Sequence, residues 1–318
     1  MSIISTDISK AVDLLTKEQL VAIPTETVYG LAGNIFSKKA IQAIFQTKKR
    51  PLFNPLIVHI PSVDALETVA KDIPEQAKKL ARAFWPGSLT LVLKKQDNIP
   101  SLITAGKDTV AVRVPNHPTT IKLLNALDFP LAAPSANPFG SISPTQAQHV
   151  ANYFEKDIQM VLDGGPCANG IESTIVGFEN NGPIIYRLGS ISIEDIEAVI
   201  GSIQIKNKKD VAPDAPGMLA RHYAPATKTL LTDHVLETIL QHAGKKIGVL
   251  VFQNVLKEQN IAHQIVLSEH GDFQEAASNL YKSMHELDQL NLDIIIAERL
   301  PDTGLGRSVN DRLQRATF

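Results

Sequence analysis

Residues 47–60 read TKKRPLFNPLIVHI, and how they are read decides the fold. Their cations close a helical pattern, KKAIQAIFQTKK; a proline then stops the helix, and the apolar run LIVHI follows as a strand. A helix passing through a short turn into a buried strand is the building unit of an α/β protein. The charge has two readings: the cations sit in a solvated turn, or they surround a bound anion. His59, the one polar residue of the strand, is either a satisfied core histidine or a ligand.

The same alternation extends outward. Upstream, residues 5–20 place Ile8, Val12 and Leu15 at helical spacing behind Thr6 and Asp7 as caps, and LVAIP is a strand that stops at PTETVYGL. Downstream, SVDALETVAKDIPEQAKKLARAF predicts two helices broken near Pro74. SLTLVLKK, TVAVRVP and PLAAPSAN are strands, with the helix TIKLLNAL between the last two. In SISPTQAQHV, Ser143 is placed to cap a helix, Pro144 suits its first position, and Gln146 falls where a capping box returns its bond. MVLDGG, STIVGFE and PIIYRLG complete an irregular mixture, which predicts a mixed sheet rather than a regular doubly wound one.

Residues 1–203 are thus expected to form one α/β domain. The proline-rich stretch 204–228, containing APGMLARHYAP, reads as a linker, and 229–318 repeat a β–α alternation that predicts a second, smaller domain with a parallel sheet. A chain of 318 residues has room for both.

Bulk properties narrow the function. With 44% hydrophobic and 20% charged residues, the composition is that of a soluble globular protein. A net charge of −2 gives no global basic field of the kind that coats nucleic acid, so any anion binding is local. The single cysteine, Cys167, forms no intramolecular disulfide and fits a reducing, cytoplasmic setting; nothing around it marks a nucleophile. The acidic N-terminal stretch is not a signal peptide, and no stretch is long enough to span a bilayer. Phosphate-loop, dinucleotide, HExxH and paired-cysteine signatures are missing. The GLGR at 304–307 reads as a tight turn.

What remains is a series of polar residues at strand ends: Thr25, Glu26, Thr27 and Tyr29, then Lys48, Arg50 and Asn54, then Ser135 and Asn137, Ser143, Ser173 and Thr174, and Arg187. Thr109 and Arg113 share a sheet face by their even spacing. Turn chemistry and capping explain several of these singly. Arg113 is different, because an arginine inside an apolar strand needs an anionic partner or an exposed face. Taken together, three arginines and a lysine among many hydroxyls describe a cavity for a polyanion.

In order, PTETVYGL, KKRPLFNPLIVHI, FWPGSLTLVL, VAVRVPNHP, PLAAPSAN, DGG and STIV resemble the threonylcarbamoyl-AMP synthase family with its YrdC-like domain. APGMLARHYAP and GLGRSVNDRLQRA resemble the linker and C-terminal domain of its longer members, so the resemblance covers essentially the whole chain. It implies an open, twisted mixed sheet with a basic concave cavity, a linker lying over the active site as a lid, and a smaller Rossmann-like domain. It also implies synthesis of threonylcarbamoyl-adenylate from L-threonine, bicarbonate and ATP with release of pyrophosphate, the product then going to a tRNA threonylcarbamoyltransferase.

Carried over by position, the resemblance implies that Thr27, His59, Arg113, Ala133 and Ser173 contact threonine. It gives Arg50, Asn54, Thr109, Ser135, Ser143, Arg187 and Tyr223 to ATP, with Lys48 close to the phosphates. Lys48 and Arg50 are the expected catalytic pair. Few acidic residues lie near these motifs, so magnesium is expected to arrive on the triphosphate, with Glu26 and Glu172 as the only local carboxylates. Two other readings compete: a module binding double-stranded RNA or tRNA without turnover, and a related carbamoyltransferase. Few aromatics near the cavity motifs count against the first, and missing acyl-phosphatase and zinc-finger patterns against the second.

Overall fold

The structure, a computed structural model, describes residues 3–179, 182–206 and 222–317. Among the described residues, twelve strands form one large sheet. It begins with β1 (Ile4–Ser5), β2 (Val21–Ile23), β3 (Gly30–Asn34) and β4 (Ile57–His59). β5 (Ala70–Lys71), β6 (Leu89–Lys95), β7 (Thr109–Arg113) and β8 (Leu131–Ala132) follow. β9 (Val161–Leu162), β10 (Thr174–Glu179), β11 (Gly182–Arg187) and β12 (Gln204–Ile205) complete it. The order across the sheet is β1-β9-β2-β3-β8-β4-β7-β6-β10-β11-β12, with β5 paired to β6. β4 runs parallel to β7 but antiparallel to β8, and β10 is parallel to β6 but antiparallel to β11, so the sheet is mixed as expected.

Among the described residues, the helices that cover it are α1 (Ile8–Thr16), α2 (Lys38–Lys48), α3 (Glu75–Phe84), α4 (Pro118–Asn125), α5 (Ala147–Phe154) and α6 (Ile193–Ile200). The periodicity of α2 explains the opening stretch. Its buried positions are Ala40, Ile41, Ile44, Phe45 and Lys48, so the apolar stripe carries the Lys48 ammonium inward with it. Lys49 ends the helix in the left-handed conformation at φ 52°, bonds back to Gln46 O and Phe45 O, and leaves its side chain exposed. Arg50 is thereby turned back toward the protein, and the chain enters β4. There, His59 pairs with Arg113 of β7 in parallel register, which sets the two side chains on one face.

Three local expectations are corrected. Val63–Thr68 is a 3₁₀ helix leading into β5, not an α-helix. α5 starts at Ala147 with Gln146 at the cap position; Ser143 does not cap it, because its hydroxyl is bonded to Glu172 instead. The first sheet also reaches Ile205, two residues into the stretch expected as linker, since β12 adds in parallel to β11. Of that linker, residues 207–221 lie outside the described residues.

The second domain has a four-stranded sheet ordered β13 (Thr229–Thr232), β16 (Ile294–Glu298), β14 (Ile247–Val251), β15 (Ile261–Val266), parallel throughout. Its helices are α7 (Val235–Gln241), α8 (Phe273–Asp288) and α9 (Leu305–Ala316). It is not an independent appendage: Val28, Ile142 and Ile171 of the first domain share one buried cluster with Ala276, Ala277, Leu280, Tyr281 and Met284 of α8. The approach is so close that a Cβ on Gly170, at φ +70°, would lie 2.3 Å from Ser278 O. GLGR sits at this seam: Arg307 pairs with Glu194 at 2.6 Å, and Ser308 Oγ donates to Gly189 O at 2.8 Å.

Candidate active site

The sheet's register gathers side chains from distant segments around one cavity. Thr27, Arg50, His59, Arg113, Ala133, Ser135, Ser173, Arg187 and Tyr223 line it, along with Thr25, Val28, Ile57, Glu172 and His222. Of its apolar lining, Ile57 belongs to a small buried cluster with Val92, Ala111, Ile175, Ile184 and Tyr186.

Arg113 finds its anion inside the protein. Nη2 donates to Glu26 Oε1 at 2.6 Å, Nη1 to Thr27 Oγ1 at 2.9 Å and Nε to Gly87 O at 3.1 Å. Glu26 is held in turn by Ser88 Oγ and the Asn116 amide. The guanidinium is therefore fixed in orientation before any ligand arrives, with one hydrogen on each terminal nitrogen still to give.

Beside it His59 is 3% exposed, and its Nδ1 has no partner among the described residues. Burial, reinforced by the Arg113 charge, pulls its pKa down to about 3, so it presents an uncharged ring to the cavity.

The other wall is cationic. Arg187 grips Ser173, donating from Nη2 to its carbonyl at 2.8 Å and its hydroxyl at 2.9 Å. Arg50 is braced by Asn54, with Nη2 donating to Oδ1 at 2.6 Å and Nε to the carbonyl at 3.1 Å. Burial and the neighbouring Arg187 pull the Arg50 pKa down to about 9. Two guanidiniums held this close out of water are relieved by a polyanion.

The remaining sequence candidates stand elsewhere. Lys48 does not line the cavity: buried behind it, Nζ donates to Ser135 O at 2.5 Å and to Asn137 O, pinning the loop that presents Ser135. From there it positions that loop without itself reaching the lining. Asn54 likewise acts through Arg50, and Ser143 through Glu172, to which it donates at 2.6 Å. Thr109 opens β7 at the end opposite Arg113, about 13 Å away by strand rise, and lines a separate groove with Asp108 and Phe178. Cys167 is buried, and burial pushes its thiol pKa up to about 12, which removes it as a nucleophile.

The sequence reading missed Glu172 as a wall of the site, together with the residues that hold it. The carboxylate accepts from Ser143 of the first domain and from Tyr281 and Arg312 of the second. Burial pushes its pKa up, but the Arg312 and Arg187 charges and these bonds outweigh it and hold the group at about 2. Arg312 carried a legible signal. It is fully buried on the same face of α9 as Val309, Leu313 and Ala316, an arginine at apolar spacing like Arg113.

Tyr223 and His222 close the cavity from the linker side. Tyr223 has positive φ, lies under the Arg312 guanidinium at 4.9 Å, and is 1% exposed with a hydroxyl that has no partner among the described residues. An unsatisfied buried hydroxyl costs the fold rather than helping it. Tyr223→Phe is therefore expected to leave the melting temperature unchanged or higher while weakening the binding of a polyanion such as tripolyphosphate about tenfold. Melting curves and a tripolyphosphate titration check both halves.

Buried histidines set an acid limit. His59, His149 and His222 are held at about 3 and His285 at about 4, each chiefly by burial, against an ordinary value of 6.5. His149 and His285 stack across the domain seam at 3.9 Å. The unfolded chain binds these protons first as pH falls, so their contribution is intact above 6.5 and erodes between 6.5 and about 3. Each contributes a slope of up to about 1.4 kcal/mol per pH unit. Melting temperature is accordingly expected to fall steadily from pH 6.5 to 4.5, more shallowly in a His149→Phe variant.

Residues 13–189 match the family described as telomere recombination (Sua5_yciO_yrdC). Residues 191–317 match the threonylcarbamoyl-AMP synthase C-terminal domain. The chain belongs to the threonylcarbamoyl-AMP synthase family, in its two-domain form. It is 40% identical to the threonylcarbamoyl-AMP synthase of Pyrococcus abyssi over 96% of this chain and 93% of that one. It is 39% identical to that of Bacillus subtilis over 97% and 92%. The crystal structure of P. abyssi Sua5 complexed with L-threonine superposes with a TM-score of 0.91 at 41% identity, covering 98% of this chain and 94% of that one.

Proposed function

We propose that the cavity binds L-threonine and ATP side by side and that the chain makes threonylcarbamoyl-AMP, as a nucleotidyltransferase. The observation that carries this reading is one cavity with two differently built halves. On the Glu26 side, a pre-oriented guanidinium, two threonine hydroxyls and a neutral imidazole suit a zwitterionic hydroxy amino acid: Arg113 takes the carboxylate, and Thr27 and His59 the remaining polar groups. On the other side, Arg50, Arg187 and the Tyr223 hydroxyl suit a triphosphate. The P. abyssi relative solved with L-threonine supports the first assignment.

The amine of threonine adds to bicarbonate with loss of water, giving a carbamate. A carbamate oxygen then attacks the α-phosphorus, the bond to the bridging oxygen breaks, and pyrophosphate leaves. No side chain need form a covalent bond; the protein holds the reactants in line and offsets charge on the phosphates. Arg50 and Arg187 do the second, and the Lys48-pinned loop carrying Ser135 helps the first.

Magnesium suits this scheme as a passenger of the triphosphate, where it neutralises phosphate charge. Both local carboxylates are already engaged, Glu26 by Arg113 and Glu172 by Arg312, so neither is left to hold a metal. The reactive product would pass to a tRNA threonylcarbamoyltransferase, in a cytoplasmic setting; no helix among the described residues is long and apolar enough to cross a membrane.

Pyrophosphate release from ATP is the test. It is expected to require both threonine and bicarbonate. Release indifferent to threonine, or salt-dependent RNA binding without turnover, would overturn the reading.

A further inference from the structure

Glu172 is out of place in the wall of an anion-binding cavity. It is 5% exposed and ionised, and it shares the cavity lining with Arg50 and Arg187. Left uncompensated, a buried carboxylate there would repel phosphate. The compensating charge comes from the other domain. Arg312, fully buried on α9, donates from Nε to Glu172 Oε2 at 2.8 Å and from Nη2 to Leu188 O at 2.6 Å.

We propose that Arg312 is a positioning residue for the nucleotide: by neutralising Glu172 it removes a charge that would oppose the triphosphate, so that the triphosphate site is complete only when the second domain is docked. This rests on the reading of the cavity as an ATP site and gives the second domain a part in it.

The charge argument separates the two substrates. ATP carries several negative charges, whereas L-threonine is a zwitterion with no net charge, so an exposed Glu172 charge acts mainly on the nucleotide. It also separates charge from packing. In Arg312→Met the side-chain volume is largely kept, and Asp311 retains Arg315, which donates to it at 2.9 and 3.1 Å. Glu172 alone is left with an uncompensated charge, and Glu172→Gln removes it.

The experiment is calorimetric titration of the full chain with ATP, tripolyphosphate and L-threonine, for wild type, Arg312→Met, Glu172→Gln and the double variant. Arg312→Met is expected to weaken ATP and tripolyphosphate about tenfold or more and threonine by less than about threefold. Adding Glu172→Gln should restore most of the lost ATP affinity. Arg307→Ala, which breaks a seam ion pair away from Glu172, serves as the docking control and is expected to bind ATP like wild type.

An Arg312→Met variant that binds ATP normally would overturn the inference. So would equal losses for both ligands, or a double variant no better than the single. Wild type that fails to bind ATP overturns the underlying reading of the cavity as well. Should Arg312→Met fold poorly, the double variant, which buries no unpaired charge, still decides: it must bind ATP nearly as wild type does.

Discussion

Arg113→Ala is expected to raise the L-threonine requirement about a hundredfold, the size of effect seen when one partner of a buried charge pair is removed, while moving the ATP requirement far less. Arg113 is fixed by Glu26, Thr27 and Gly87 at the end of a central strand, and it lines the cavity with one hydrogen on each terminal nitrogen still to give. The substitution has a second consequence. Glu26 is left buried without its cation, which should cost stability by about 3–5 kcal/mol. The two effects separate in Arg113→Ala/Glu26→Gln, where the uncompensated charge is gone. That variant should recover most of the melting temperature but none of the threonine affinity. Threonine and ATP requirements that rise equally, or a double variant that regains threonine binding, would contradict the assignment.

Lys48→Met should lower turnover about a hundredfold, on the scale of losing a placed group at a reacting centre. Yet Lys48 stands behind the cavity wall. Its ammonium bridges the carbonyls of Ser135 and Asn137, and without it the loop presenting Ser135 is free to drift. The stability change is expected to be small beside this, within about 2 kcal/mol, because removing a buried ammonium offsets the two carbonyls that lose their donor. Arginine should not substitute, since it would set a third bulky guanidinium against Arg50. Steady-state turnover together with melting temperature tests this; wild-type turnover in Lys48→Met would exclude the positioning role.

The stretch TKKRPLFNPLIVHI illustrates how far the sequence is legible. Helix, turn and strand follow from local periodicity, and the exposure of Lys49 beside buried Lys48 and Arg50 follows from where the helix stops. That an arginine inside an apolar strand needs an anion was also legible, but not that the chain supplies that anion itself, because Glu26 is distant in sequence from Arg113. Ser143 shows a local rule giving way to a tertiary one: its sequence context suits a cap, but a buried carboxylate offers the stronger partner. The largest omission is what holds Glu172, namely Arg312 and Tyr281. No local pattern joins residues more than a hundred positions apart, and only the buried spacing of α9 hinted that one of its arginines faces inward.

The proposed reaction turns on a carbamate attacking the α-phosphorus within this cavity. The most direct measurement is mass spectrometry of the products formed from ATP, L-threonine and ¹³C-bicarbonate. An adenylate that contains threonine and carries the label, formed in equal amount with pyrophosphate, is the predicted result. Formation of ADP and phosphate, or an adenylate without the label, would contradict it.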